Sequence, residues 1–290
     1  MIAPYFCLLS AAFLWGTSFV AGKLAFGVAD PSLIVLGRFF IASAFWMPVA
    51  MKAWHALPKT LRAPLCLLSF LMIPATFLLQ FIGLRHTTAS SAVIVIGFEP
   101  LMVVLVGTVI WRQRMTTANI GFGVTAFVGV LVVMGWPHGA RFFDSAMVFI
   151  STAVVAVWVH WSKQWMAMLS VAAFTSLTTV LGTVLLIPCA LLTANTWNIE
   201  LAAKGVWAFI YLALGCSLLA GWLWNQGIKN VPANAGGLFL AAEPIFGIIF
   251  AAWLLRERLG ESILLGAALV VLPVIISSGL SMRCAARKSG

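Results

Sequence analysis

The sequence predicts an all-α integral membrane protein with ten transmembrane helices arranged as two inverted five-helix repeats. Three observations lead to this prediction: an apolar composition, a series of long apolar segments, and an internal repeat. Hydrophobic residues make up 63% of the 290 residues and charged residues only 8%, whereas soluble proteins carry about 25% charged residues. The chain could not cover a water-facing surface, so a soluble enzyme is excluded.

The apolar segments are long enough to cross a bilayer, which takes about 20 helical residues for about 30 Å of hydrocarbon. Six of them contain no charged side chain, namely 1–22, 63–84, 115–137, 145–162, 205–228 and 262–282. Three contain one charge each, namely 31–51, 87–111 and 230–255. The tenth lies within 164–199. Counts of nine or eleven stay open because segment ends are uncertain by several residues.

The first segment is expected to stay in the mature protein. No basic residue precedes its apolar run, and the run is longer than the roughly 7–15 residues of a signal-peptide core.

The formal net charge of +10 predicts an orientation in the membrane rather than a nucleic-acid partner. Basic residues lie in the segments between spans, and with ten spans one side of the membrane carries ten of them and the other six. Cytoplasmic loops are the richer in Lys and Arg. Both termini are therefore expected in the cytoplasm, with the lipid bilayer as the surrounding partner.

An internal repeat relates the two halves at an offset of 144 residues. A glycine, a basic residue, an alanine, a Glu-Pro pair and an Arg-x-Arg motif all recur at this spacing, first in 83–114 and again in 227–258. We take 1–138 and 139–290 as the two repeats. Five spans are an odd number, so the second copy must be inverted, as in many secondary transporters.

These motifs resemble the drug/metabolite transporter superfamily, specifically its EamA-type members. The resemblance rests on the stretch 13–23, the arginine of the second span, both Glu-Pro pairs, and the stretch 255–259. Gln113 departs from the family, which usually has a glutamate there. The resemblance implies a ten-helix carrier of the bacterial inner membrane, commonly an exporter of amino acids, other metabolites or drugs.

The first site candidates are two glutamates in the middle of apolar spans, Glu99 and Glu243. A carboxylate costs at least about 2.5 kcal/mol at that depth, so either group could exchange a proton or bind solute. Pro100 and Pro244 follow them and are expected to kink their helices, which frees backbone carbonyls. The alternative is structural: each glutamate would only satisfy groups around its own kink.

Five further residues are candidates for the substrate or proton pathway. Arg38 could pair with an anionic solute or with Glu99, or it could extend towards the headgroups. Trp15 and Ser18 lie on one face of the first span, and Trp158 occupies the place in the sixth span that corresponds to Trp15. The two tryptophans could flank an apolar solute, or they could simply pack. His160 could take part in proton coupling or hydrogen-bond within the core.

Small residues predict close helix contacts at Gly121, Gly129 and Gly237, either within the chain or in a homodimer. No phosphate-binding loop, metal-ligand spacing or hydrolase motif is present in the sequence, so neither a cofactor nor a metal is expected. The sequence therefore predicts a proton-coupled exporter of a small solute working by alternating access, and not an enzyme. An importer or facilitator, or a membrane subunit without transport activity, stays open.

Overall fold

A computed structural model describes residues 3–112, 117–134, 140–231, 238–273 and 276 of the chain. All regular structure in these residues is helical. The first half contains α1 (Ala3–Ala25), α2 (Pro31–Ala56), α3 (Lys59–Leu84), α4a (Ala89–Ile96), α4b (Glu99–Val109) and α5 (Thr117–Met134). The second half contains α6 (Ala140–Met168), α7 (Val171–Thr193), α8 (Ala203–Lys229), α9 (Ala242–Leu254) and α10 (Glu261–Pro273).

Apolar helices of membrane-spanning length confirm the predicted fold class. Within the described residues, seven helices are long and apolar enough to cross a bilayer, with α4a and α4b together forming one of them. Shorter apolar helices occupy Ile120–Met134, Phe239–Leu254 and Glu261–Pro273. The predicted total of ten spans stays a prediction, because these last three are each shorter than a bilayer requires.

Side-chain caps fix where several helices begin. Asp30 accepts a hydrogen bond from the backbone N–H of Ser32 at 3.0 Å, and Pro31 begins α2. Thr88 caps α4a through the N–H of Ser91 at 3.1 Å. An oxygen-bearing cap satisfies an N–H that the helix leaves free, and proline suits the first position because its missing donor is not needed there.

The third helix of each half widens into a π-helical stretch at corresponding places. In α3 this stretch is Leu71–Ala75, and in α8 it is Leu212–Leu219. Hydroxyl groups bind carbonyls released by the wider turns: Thr76 donates to the Leu71 carbonyl at 2.7 Å, and Ser217 donates to the Leu212 carbonyl at 3.0 Å. π-Helical turns often mark functional sites, and these two border the internal cavity described below.

The first helix of each half packs on the third and fourth helices of the other half. Thus α1 contacts α8 and α9, α6 contacts α3 and α4b, and the two second-position helices, α2 and α7, pack on each other. This exchange places the repeats around a shared centre rather than in two separate bundles. This arrangement agrees with the two-repeat architecture predicted from the sequence.

Contacts at the helix ends give α1 and α6 opposite directions. The end of α1 lies beside the end of α3, because Lys23 donates to the Arg85 carbonyl at 3.1 Å. The start of α6 lies at that same level, since a Cβ on Gly83 would come 2.8 Å from Val148. Conversely, a Cβ on Gly227, near the end of α8, would meet Leu8 near the start of α1.

We call these two levels the Arg85 end and the Lys229 end. The equivalent lysine of the second half, Lys163, donates to the Lys229 carbonyl at 3.1 Å, so α6 ends where α1 begins. Corresponding helices therefore run in opposite directions, as an inverted repeat requires.

The three glycines predicted at helix contacts differ from one another. A Cβ on Gly129 would come 3.0 Å from the Gly266 carbonyl oxygen, so α5 and α10 approach closely there. A Cβ on Gly121 would meet no atom within 4 Å among the residues that the structure describes, so no packing contact at Gly121 is found among them. Contact between two copies at Gly121 stays a prediction. Gly237 lies outside the described residues.

Candidate functional site

Two adjoining cavities occupy the centre of the helix bundle, and Trp15, Phe77 and Trp158 line both of them. The first, which we call the carboxyl pocket, leaves about 30 Å³ of space for a water-sized molecule and is lined by Trp15, Ser18, Phe19, Thr76, Phe77, Gln80, Glu99, Val155, Trp158, Leu240 and Glu243. The second, the polar pocket, leaves about 50 Å³ of such space and is lined by Trp15, Phe39, Met72, Ile73, Phe77, Trp158, Thr175, Thr178, Thr179, Cys216, Ser217, Gly221, Trp224 and Asn225.

The two glutamates line the carboxyl pocket together, one from each half of the chain. Each is only 3% exposed, and the two carboxyls are close enough to interact electrostatically. Neither carboxyl makes a hydrogen bond within the part of the chain that the structure describes, and Glu243 Oε1 is buried without a partner. Their structural alternative, satisfying groups around a kink, therefore finds no supporting hydrogen bond among those residues.

The prolines after the glutamates begin helices rather than bend them. The helix α4a ends at Ile96, and α4b starts at Glu99 with Pro100 in its first turn. Likewise a 3₁₀ turn over Leu238–Ala241 precedes α9, and Pro244 lies in the first turn of α9. The prolines were expected to bend continuous helices, but each lies at the start of a helix. Proline fits the first helical turn because its missing N–H is not needed there. Each carboxyl also meets the partial positive charge of a helix start.

The predicted pair of tryptophans is part of a cluster of three. Trp15 donates from Nε1 to the Cys216 carbonyl at 3.1 Å, and its ring centroid is 5.3 Å from that of Trp224. The Trp158 ring lies edge-on to Trp224 at 6.4 Å. Ser18, another predicted residue that lines the carboxyl pocket, donates to the Trp15 carbonyl at 2.6 Å. The indole N–H groups of Trp158 and Trp224 are buried and have no hydrogen-bond partner among the described residues.

Arg38 is fully buried behind the polar pocket, in contact with three of its lining residues, Ser217, Phe39 and Phe77. Its Nε donates to Ser217 Oγ at 2.6 Å, and its guanidinium carbon is 5.0–5.3 Å from the ring centroids of Phe39, Phe77 and Phe81. Such cation–π contacts contribute about 0.5–2 kcal/mol each. It neither extends to the headgroups nor pairs with Glu99, so two of its three predicted roles are wrong within the described residues.

His160 does not line either pocket. Its Nδ1 lies 3.0 Å from the Ala156 carbonyl one turn earlier, and its ring stacks on Trp111 at a centroid distance of 4.8 Å. The structure thus places His160 outside both pockets, and its hydrogen bond and stacking are those of a packing residue.

Sequence reasoning missed the three threonines of the polar pocket. Thr175, Thr178 and Thr179 lie on α7 and look like ordinary members of an apolar span. Asn225 donates to Thr175 Oγ1 at 2.9 Å, while its Oδ1 is buried without a partner. A sequence signal did exist for α7: its threonines recur three and four residues apart, which places them on one helix face.

Both ends of the bundle are closed by polar contacts. At the Arg85 end, Arg85 pairs with Asp30 at 3.0 Å. There Glu257 also accepts hydrogen bonds from the N–H groups of Ala89 and Ser90, at 2.8 and 3.0 Å. At the Lys229 end, Lys163 donates to the carbonyls of three residues of 228–231 at 2.6–3.1 Å. Each closure joins helices that would have to separate for a solute to pass.

Comparison with known proteins gives consistent results. The EamA-like transporter family matches residues 2–135 and again 145–279. A Haemophilus influenzae protein named "Uncharacterized transporter" is 38% identical over 143 residues, which are 47% of this chain and 84% of that protein. The Bacillus subtilis protein named "Uncharacterized transporter YyaM" is 26% identical over 286 residues, 95% of this chain and 93% of that protein. A solved crystal structure shares the fold, with a TM-score of 0.71 and 17% identity over 98% of this chain and 99% of its own.

Proposed function

Since this chain belongs to the EamA-like transporter family and is a multi-pass membrane transporter, we propose that it exports a small solute in exchange for protons. The solute is a metabolite such as an amino acid, or a drug-like compound, and the protein works by alternating access. The observation that carries the proposal is the carboxyl pocket, which is lined by one buried glutamate from each half.

The proton is the proposed coupling ion because of how Glu99 and Glu243 are buried. Two carboxylates that are close together and shielded from water cannot both be charged without a large cost. Neither carboxyl has a cation within salt-bridge distance in the described residues. Binding of a proton then neutralises a carboxylate of the pair. Its release on the other side of the membrane would couple proton movement to the change in the side that the pocket faces.

Movement of the two halves is supported by the helix interruptions and by the two polar closures. Glu99 follows the interruption between α4a and α4b, and Glu243 follows the 3₁₀ turn that precedes α9, so their positions can change with little disturbance of regular hydrogen bonding. The closures made by Glu257 at one end and Lys163 at the other are hydrogen bonds, which open and close reversibly. Opening one while the other holds gives the alternating access proposed for inverted repeats.

The proposed orientation puts both termini in the cytoplasm of a bacterial cell, with the protein in the inner membrane. The Lys229 end then faces the cytoplasm and the Arg85 end faces outwards. The excess of Lys and Arg on the side of the termini supports this direction.

The test compares metabolites inside and outside cells that express the wild type, the double variant Glu99→Gln/Glu243→Gln, or an empty vector. Glu261→Gln is the matched control, because Glu261 is an exposed carboxyl. We expect one solute to be enriched outside with the wild type and with Glu261→Gln, and not with the double variant. Depletion outside would instead indicate an importer, and unchanged pools despite confirmed expression would contradict transport of a cellular solute.

A further inference from the structure

An apolar groove lies on the outer surface of the bundle, between α2 of the first half and α8 of the second. We call it the outer groove, and it is lined by Phe45, Trp46, Leu218, Leu219 and Trp222. It leaves about 300 Å³ of space for a water-sized molecule, against about 50 Å³ in the polar pocket. One water takes about 10–15 Å³ of such space, so the outer groove has room for part of a much larger molecule.

The outer groove opens towards lipid rather than towards water. Phe45 is 61% exposed and Leu219 is 47% exposed, and each lies in the middle third of an apolar helix of membrane-spanning length. The rings of Trp46 and Trp222 join the two walls, with their centroids 5.3 Å apart. At this depth a membrane protein is surrounded by hydrocarbon, so an acyl chain is the molecule that the groove meets.

Two exposed lysines lie beyond the groove, one on each wall. Lys52 follows Phe45 by seven residues in α2. Lys229 follows Trp222 by seven residues in α8. Seven residues are two helical turns, so each lysine lies on the same helix face as its groove residue and about 10 Å further along the helix. Both helices run from the Arg85 end to the Lys229 end, so the two lysines lie at one level, where lipid headgroups begin.

The Lys229 end has no acidic residue that could neutralise these lysines. The chain contains seven Asp and Glu residues, and two of them are the glutamates of the carboxyl pocket. The other five belong to the Arg85 end, namely Asp30, Asp144, Glu200, Glu257 and Glu261. Lys163, which donates to the Lys229 carbonyl, brings a third positive charge to the same place. A basic site between transmembrane helices favours an anionic headgroup.

We propose that the outer groove binds one acyl chain of an anionic phospholipid whose phosphate lies between Lys52 and Lys229. The groove supplies the apolar contact and the lysines supply the charge, in the order in which a phospholipid presents its chain and its headgroup. The lipid touches both halves of the chain, because α2 and α8 belong to different repeats. The inference goes beyond the proposed function, since it requires neither export nor proton coupling.

The test measures lipid binding to the purified full-length protein in detergent by native mass spectrometry, together with the melting temperature. The probes are dioleoylphosphatidylglycerol, which is anionic, and dioleoylphosphatidylcholine, which has the same chains and no net charge. We expect the wild type to retain one molecule of the anionic lipid and to melt at a higher temperature with it. The zwitterionic lipid should bind at least tenfold more weakly.

The double variant Lys52→Gln/Lys229→Gln tests the headgroup contact. A lysine near an anionic headgroup strengthens binding about fivefold, so the double variant should bind the anionic lipid about 25-fold more weakly. Both lysines are exposed, so the fold should persist, and the melting temperature without lipid checks this. Lys204→Gln is the matched control, because Lys204 is exposed at the start of α8, at the opposite end. The control should bind lipid as the wild type does.

The variant Leu219→Trp tests the acyl-chain contact independently, because it fills the groove and keeps both lysines. Leu214→Trp is its control, since Leu214 is 40% exposed on the same helix and does not line the groove. Binding of the anionic lipid should fall at least tenfold with Leu219→Trp and stay unchanged with Leu214→Trp.

Equal binding of the two lipids by the wild type would overturn the proposal. Unchanged binding in the lysine double variant or in Leu219→Trp would overturn it as well. Displacement of the lipid by glycerol 3-phosphate would instead indicate a site for soluble phosphates. A lipid-free dimer that Leu219→Trp separates into monomers would assign the groove to a second copy of the chain.

Discussion

Replacing Gly16 by alanine should loosen the contact between α1 and α9 at the level of the carboxyl pocket. A Cβ at this position would overlap the carbonyl oxygen of Glu243 and lie 3.0 Å from its Cα. These are backbone atoms of a helix start, so no flexible side chain can move aside to make room. Either α1 or the first turn of α9 must shift, and the Glu243 carboxyl shifts with it.

The cost is that of inserting a methyl group into a tightly packed contact, about 1–3 kcal/mol. Gly123→Ala is the matched control, because Gly123 lies within α5, is in the lining of neither pocket, and a Cβ there would meet no atom within 4 Å among the residues that the structure describes. In the control, alanine should stabilise the helix by about 0.5–1 kcal/mol relative to glycine. The two alanine variants should therefore differ from the wild type in opposite directions.

Thermal unfolding of the detergent-purified variants measures this difference, with solute export measured in parallel. We expect Gly16→Ala to melt below the wild type and to export more slowly, and Gly123→Ala to melt at or above the wild type. If Gly16→Ala were as stable and as active as Gly123→Ala, the close approach of α1 to Glu243 would be wrong, and so would the position of the carboxyl pocket.

Two further predictions concern the closure and the histidine. Glu257→Gln replaces the charged acceptor of the Ala89 and Ser90 N–H groups, and hydrogen bonds to charged groups contribute about 1.5–3 kcal/mol each. The substitution should therefore favour the state that is open at the Arg85 end. A cysteine introduced at that end should then react faster with maleimide, and an unchanged labelling rate would contradict this closure. His160→Gln should leave the pH profile of export unchanged because His160 lines neither pocket; a shifted profile would return it to the proton pathway.

The sequence was sufficient to predict the all-helical membrane fold and its two-repeat architecture. Both depend on one-dimensional signals, namely apolar segments of spanning length and a repeated motif at a fixed offset. Glu99 and Glu243 could be found in the same way, because a charged residue inside an apolar segment is conspicuous. Trp15 and Trp158 were identified through their matching places in the repeat, and the structure brings both to the two pockets.

What the sequence could not predict depends on contacts between distant helices. Arg38 had three open roles, and the choice depends on Ser217, which is 179 residues away. Trp224 carries no repeat signal, yet it packs between Trp15 and Trp158. His160 was a candidate because of its chemistry, but the rotation of α6 stacks it against Trp111, away from the cavities. Such rotations follow from packing, which periodicity does not specify.

The central claim is tested most directly in proteoliposomes that contain the purified protein, a trapped pH-sensitive dye and the solute identified by the metabolite comparison. An imposed pH gradient should drive that solute against its concentration gradient with the wild type, and the solute alone should move protons in the opposite direction. The double variant Glu99→Gln/Glu243→Gln should do neither, although it still folds. Solute movement that is equally fast without a pH gradient, or that persists unchanged in the double variant, would contradict proton coupling through the carboxyl pocket.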